Sequence, residues 1–455
     1  MVMILKNSEP QLRVSRDWDE VLKVASTGED RLTYVPGLVG DIIEWIVATS
    51  MLPNRMMALG VALAVVGGLI SRKVLGPSNS MTHLFTVLLA PTGAGKQDPM
   101  QRGRELIAAV VEEDAGLIIG DTTWQSAPGI EKMLDECPVR ICFVDEVGDE
   151  LGKINSTTGN PFVSATTGLL KKIYNGREYI QTGRTKHAPG VIIHQPAYNL
   201  VCAATPGRFW SGLGGGDLES GVVNRFLILP VMDTPTGKLR VVPYETLKPP
   251  RWLVEELRKL PRWKLEPLNV LDIAFSTKDD KPIIKWSEVD NWIHQTWDSQ
   301  EVCDVWLAAS NAMLEEKNEK KQWIGKRGGE HAIRAVSSIV AGCDRTNITM
   351  QDVTWGLAVA SRSIDVAYEG AQKFLQTYLH FPEMCQEIYD DIVLGGGFRS
   401  TRYLIRKYPR KDRWGHGLYS KAIAQLQLEG RLTQEVKRST GGRPTVGYEV
   451  REEKE

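Results

Sequence analysis

Leu84-Phe-Thr-Val-Leu-Leu-Ala-Pro-Thr-Gly-Ala-Gly-Lys96 is an apolar run that breaks into a glycine-rich turn and ends on a lysine. The apolar part suits a strand of a parallel sheet buried on both faces. The turn, Pro91, Thr92, Gly93, Ala94, Gly95 and Lys96, reads as a phosphate-binding loop: the glycines let backbone N–H groups turn inward, and the lysine adds a point charge for terminal phosphate oxygens. Two positions depart from G-x-x-x-x-G-K-[ST]. Ala90 stands where the first glycine belongs, and Gln97 stands where a hydroxyl would ligate Mg²⁺. A glutamine carbonyl could still reach a metal or its water, so ATP and Mg²⁺ are the expected cofactors.

A second motif follows about 50 residues later. Val139-Arg-Ile-Cys-Phe-Val-Asp-Glu146 ends an apolar run in two carboxylates, a Walker B pattern. At the carboxyl end of a strand, Asp145 would hold Mg²⁺ with Gln97, and Glu146 would orient or deprotonate an attacking water. The bland alternative for either motif alone is a buried strand ending in an ordinary turn; together they predict a P-loop nucleotidase.

Further strands are expected at 116–119, 199–204 and 225–230, alternating with helices, which argues for a parallel α/β sheet. Two helical patterns at 37–75 precede it, with Asp41 able to cap the first, and the apolar stretch Met56 to Ile70 reads as a buried helix rather than a membrane span. The 199–204 strand delivers Thr205 to its carboxyl end, where a polar group would sense a γ-phosphate. Arg225 lies at the entrance of the next strand, away from its own loop, so it could act on a neighbour's nucleotide or serve as a structural ion pair. The segments 177–182 and 190–194 read as hairpin arms, with Arg184, Lys186 and His187 at a basic tip that fits a nucleic-acid backbone, or is an ordinary solvated turn. Helical patterns resume at 286–318, 328–343 and 350–378.

The last 75 residues form a separate pattern. Helices at 381–393, 400–407 and 417–428, then strands at 431–438 and 444–450, are similar to a winged helix. Between 399 and 443 there are twelve Lys or Arg against three Asp or Glu, an excess of +9 in a chain of 455 residues whose net charge is −1. A polyanion partner is expected there, with Arg402, Arg406, Lys421, Lys437, Arg438 and Arg443 as candidate contacts. Six scattered cysteines without C-x-x-C spacing, and a start lacking an export signal, predict a reducing cytoplasm, no structural zinc and no membrane.

On Ala90 to Lys96, Val144-Asp-Glu146, Pro196 to Trp210 and Gly221-Val-Val-Asn-Arg-Phe-Leu227, the chain resembles the ATPase core of the replicative helicases of phages, plasmids and mobile islands. That group is similar to AAA+ rings, including the minichromosome-maintenance and superfamily 3 helicases. The resemblance implies a homo-oligomer, a hexamer, with Lys96, Asp145, Glu146 and Thr205 from one subunit and Arg225 from the next. It implies single-stranded DNA in the pore and duplex DNA at the winged helix. It also implies a helical lid over Lys326 to Val340 and Ile348 to Val353, with Arg334 touching nucleotide and the equally basic Arg327, just before the same helical stretch, as the alternative. Acidic or amide residues also follow the loop lysine in that group, so Gln97 need not mean a dead site. The expected division is a helical segment at 1–75, a P-loop AAA+ core at 76–235, linker and lid at 236–380, and a winged helix at 381–455. With about 80 residues ahead of the nucleotide strand there is no room for a primase domain, so a primase or polymerase would be a separate partner. The expected function is an ATP-driven DNA helicase; a replication initiator or helicase loader, and a nucleotide-binding DNA scaffold without turnover, are the alternatives.

Overall fold

Four segments have no polar face to offer water, and all four are buried along their whole length: β1 (Phe85–Leu89), β2 (Val139–Val144), β3 (Ala197–Ala204) and β4 (Phe226–Pro230). In the computed structural model they pair in parallel in the order β2-β3-β1-β4. Phe85 lies opposite Leu200 and Phe226, Leu89 opposite Ala204 and Pro230, and Val144 opposite Cys202. This register brings residues 90, 145, 205 and 231 to one edge. The structure describes residues 13–23, 29–123, 126–155, 161–177, 180–181, 192–213, 221–231, 239–262, 274–275, 282–283, 289–379, 381–408, 418–437 and 445–451.

The chain divides into two compact units, residues 1–368 and 369–455. In the first, α1 (Gly37–Thr49) and α2 (Arg55–Leu69) precede the sheet. Every residue of α2 from Met57 to Leu69 is buried, as a helix apolar on all sides must be. It lies on the sheet: a Cβ at Gly60 would strike Leu88 and Leu229, and one at Gly68 would strike Ile141. Asn54 caps α2 by accepting from Met57 N at 3.0 Å. Asp41 does not cap α1. The helix begins four residues earlier, and the buried Asp41 carboxylate instead accepts from Val14 N at 2.6 Å.

The connections are α3 (Gln97–Val111), α4 (Ala127–Glu136), α5 (Val147–Asn155), α6 (Pro161–Asn175) and α7 (Pro206–Gly212), and α8 (Arg251–Lys259) follows β4. The strand expected at 116–119 is a helical turn over Ala115–Ile118, and only Ile119 bridges the sheet, in parallel with Ile141. After β4 come α9 (Gln300–Leu314), α10 (Glu319–Gly325), α11 (Gly328–Gly342) and α12 (Met350–Leu379). The helical pattern expected from 286 starts only at 300. Before it, Ile293–His294 and Thr296–Trp297 pair as short parallel strands with Val74–Leu75 and Asn347–Ile348. One hydrophobic core takes Ile42 and Leu63, Leu88 and Phe143, and Val336 and Val359, so the expected N-terminal segment, core and lid all contribute to it.

The second unit contains α13 (Phe381–Leu394), β5 (Phe398–Ser400), α14 (Thr401–Lys407), α15 (Leu418–Leu428), β6 (Leu432–Lys437) and β7 (Thr445–Val450). Its three strands form an antiparallel sheet in the order β5-β7-β6, with Phe398 opposite Glu449 and Leu432 opposite Val450. Its own core includes Ile388, Leu404, Tyr408, Ile423 and Leu426. Among the described residues no helix is long and apolar enough to cross a membrane.

Candidate functional site

Three strands converge on the carboxyl edge of the sheet. After β1, Ala90 N still donates to Ala204 O at 3.1 Å, and Ala90 is fully buried without a left-handed φ. Alanine therefore costs the loop nothing at a position where glycine was the expected type. Gly93 and Gly95 do need glycine, with φ of +79° and +76°. Lys96 forms the N-terminal boundary of α3 without a side-chain cap, which leaves the helix's first N–H groups directed at the loop. Arg104 on α3 donates to Phe143 O at 2.8 Å and ties the helix to β2.

Lys96 Nζ reaches Glu146 Oε1 at 3.3 Å, joining the loop to the acidic pair. Glu146 has φ of +50°, a left-handed conformation that is strained for a residue with a Cβ. Its N–H donates to Asp145 Oδ1 at 2.9 Å, and its shielded Oε2 finds no hydrogen-bond partner among the described residues. The Asp145 and Gln97 side chains are exposed. Thr205 begins α7, is half-buried, and does not spend its hydroxyl on capping that helix. Because β3 lies between β1 and β2, Thr205 emerges between the loop and the acidic pair. Nearby, Gly148 packs on the Arg208 backbone, and Arg208 bonds Asp149 at 2.6 Å. Sequence reasoning passed over Arg208; its place three residues after Thr205 was the available signal.

Arg225 immediately precedes β4, at the opposite edge of the sheet. Five strand residues put it about 17 Å from its own loop. Its guanidinium bonds Gly221 O and Asn224 Oδ1, and burial, then nearby Arg327, lowers its pKa to about 10, so it is charged at neutral pH. Arg334 is at this edge too, and here the sequence expectation needs correcting. Its side chain has no exposure and donates to His83 O and Tyr174 O, each at 2.7 Å, and to Glu330 at 2.6 Å. α11 turns it inward to hold the entrance of β1, where it cannot reach a nucleotide on its own loop. Arg327, seven residues earlier at the N-cap of α11, is the half-exposed one.

The expected basic tip with Arg184, Lys186 and His187 lies outside the described residues, as do Arg438 and Arg443; the hairpin's base, Ile180–Gln181 against Ile192–Ile193, is antiparallel. Arg402, Arg406 and Lys421 are exposed. Lys437 is exposed but bonds Glu449 at 2.8 Å and lies over the Phe398 ring. Asp391, not singled out from sequence, bonds Lys407 at 2.9 Å and lies 3.8 Å from Arg399 while accepting from Tyr408 and Tyr403. Among the described residues no group of three or more His, Cys, Asp or Glu forms a metal cage. No protein-family model and no curated protein matches the chain.

Proposed function

We propose that the chain is an ATP-dependent DNA translocase that separates strands as a homo-oligomeric ring in the cytoplasm, with an AAA+-type P-loop core and a C-terminal winged helix. One observation carries this reading: the parallel register brings the Gly93–Lys96 turn, Asp145, Glu146 and Thr205 to one edge of the sheet from three strands. The donor set fits a nucleoside triphosphate with Mg²⁺. Left-handed glycines and a helix N-terminus suit phosphate, and the orphaned Glu146 Oε2 is an acceptor suited to a water. Gln97 and Asp145 would hold the metal, which needs few protein ligands when phosphates and waters supply the rest.

Bound ATP would supply the phosphoanhydride whose cleavage drives movement. Lys96 neutralises phosphate oxygens and, on doing so, releases Glu146. Glu146 then orients a water and accepts its proton, while the Thr205 hydroxyl holds that water or the terminal phosphate in line. Arg225 at the far edge acts on a neighbouring subunit. The arrangement α13-β5-α14-α15-β6-β7 supports the winged-helix reading, with Arg402, Arg406 and Lys421 on DNA. The exposed Gln97, in place of a hydroxyl, favours as second reading a DNA-bound regulator that holds nucleotide without turnover.

ATP hydrolysis measured with Mg²⁺, with and without single-stranded DNA, separates the two. Turnover stimulated by DNA and lost in Glu146→Gln supports the motor. Nucleotide binding without turnover in the natural chain replaces it with the regulator.

A further inference from the structure

At the entrance edge of the sheet, three guanidinium groups surround one tyrosine ring. Arg334 lies 4.1 Å from the Tyr174 centroid, Arg327 5.9 Å and Arg225 6.0 Å. One carboxylate serves two of them: Glu330 bonds Arg327 at 2.5 Å and Arg334 at 2.6 Å. Arg225 has no carboxylate partner among the described residues; its bonds go to a backbone carbonyl and an amide oxygen, and its Nε has no partner. The Tyr174 hydroxyl, wholly buried, also lacks a partner among the described residues. Crowding like charges in a partly dry place is costly, and a bound anion relieves it.

The three arginines are not equivalent. Arg334 is sealed and spends its donors on His83 O, Tyr174 O and Glu330. Arg327 keeps 29% of its side chain exposed, and its carboxylate partner among the described residues, Glu330, is also served by Arg334. Arg327 can therefore leave Glu330 without stranding that carboxylate. Arg225 and Arg327 each stand about 6 Å from the Tyr174 centroid and neither is fully buried, and a guanidinium's N–H fork takes phosphate oxygens bidentately.

We propose that Arg225 and Arg327 form a two-arginine clasp for a terminal phosphate presented by an adjacent copy of the chain, and that Glu330 is the positioning residue that holds Arg327 until that phosphate arrives. The inference rests on the ring reading above, because the chain's own phosphate loop is at the other end of the sheet. It puts Arg327, at the N-cap of α11, in the place expected of Arg334.

Subunit mixing tests it. Arg327→Ala alone should keep nucleotide binding and its melting temperature within a few degrees, yet lose about a hundredfold in turnover. Mixed with Lys96→Ala, which has an intact clasp and a dead loop, it should regain turnover, since about a quarter of interfaces pair a good loop with a good clasp at equal random mixing. Arg225→Ala is the reference and should behave alike. If Arg225→Ala is rescued by mixing while Arg327→Ala keeps turnover within about threefold of the natural chain, the clasp is wrong and the ring reading stands. If neither variant is rescued, the ring reading fails and the clasp with it. Inorganic phosphate that raises the melting temperature of the natural chain but not of Arg327→Ala, without rescue on mixing, would assign the arginines to free phosphate and overturn the proposal. For Glu330→Gln, a KM lowered about threefold at unchanged kcat supports the holding role; a raised KM overturns it.

Discussion

Lys96 and Glu146 neutralise each other when no phosphate is present, and this has a measurable cost for binding. A nucleotide must displace Glu146 from the lysine, so Glu146→Gln should bind ATP several-fold more tightly while turnover falls at least about a hundredfold, read by equilibrium binding beside single-turnover kinetics. A weaker affinity in the variant would mean that Glu146 helps to form the loop rather than competing for its lysine. Three other buried groups bear on the response to acid between pH 5 and 7. Burial, then Arg334, holds His83 down to about 3; burial, against Glu330, holds His331 down to about 4. Both stay neutral in the folded chain while the unfolded chain takes up protons below 6.5, so stability is lost as pH falls through the window from 6.5 to those values. Asp41 runs the other way: burial, against the Val14 N–H, raises it to about 6, so the stability it confers is present below 3.8 and lost as pH rises through about 6. At about 1.4 kcal/mol for each pH unit of displacement, the two histidines together outweigh Asp41 more than twofold. Stability measured by urea should therefore be lower at pH 5 than at pH 7, and His331→Gln should shrink that difference by about 2 kcal/mol. Placement was legible in sequence where it depends on type and order: Lys96, Asp145, Glu146 and Thr205 follow apolar runs, and the register brings them to one edge of the sheet. It was not legible where it depends on depth along a helix: Arg327 stands at the N-cap of α11 and Arg334 two turns further in on nearly the same face, and only packing distinguishes these equally basic residues.

The buried strands declared themselves because a parallel sheet covered on both faces needs unbroken apolar runs, and β1 to β4 lie within a few residues of their expected positions. Short segments did not. Ala115–Ile118 is as apolar as a strand but too short for periodicity to decide, and Ile293–Trp297 pairs with residues far away in the chain. Asp41 was read as a cap because acidic residues favour helix starts, yet Val14 claims its carboxylate across 27 positions. Glycine inside helices is similarly opaque in sequence, and two of them should respond with opposite sign. Gly67 in α2 faces the Thr82 carbonyl oxygen, which a Cβ would approach at 2.7 Å, whereas a Cβ at Gly168 in α6 meets nothing within 4 Å among the described residues. Gly168→Ala should stabilise the fold by up to about 1 kcal/mol through helix propensity alone. Gly67→Ala gains the same propensity but must push backbone, and should destabilise by about 1–3 kcal/mol. Denaturant midpoints decide it, and a stabilised Gly67→Ala would mean that α2 sits less closely on the 82–84 segment than its contacts indicate.

At the scale of the whole molecule, a chain of net charge −1 with +9 between residues 399 and 443 must be negative elsewhere, which concentrates attraction for a polyanion on the second unit. The count of cations overstates what is on offer. Asp391 bonds Lys407 and sits beside Arg399, Arg431 lies 3.7 Å from Glu429, and Lys437 bonds Glu449. Among the described residues Arg402, Arg406 and Lys421 are exposed without a carboxylate partner, and two of them are one turn apart on α14. α15, which in a helix-turn-helix would enter the groove, carries Lys421 as its one charge. Backbone contact through α14 is therefore favoured over base reading through α15, and affinity should depend strongly on salt and weakly on sequence. If Arg402 and Arg406 each neutralise one phosphate, the double variant Arg402→Ala/Arg406→Ala should reduce the slope of log K against log salt by about 1.8, equally for unrelated duplexes. Lys437→Ala should change it by less than one, since its charge is already met by Glu449. A double variant that keeps the natural slope but loses preference among sequences would place the contact on base edges, and with it move the DNA-facing surface away from α14.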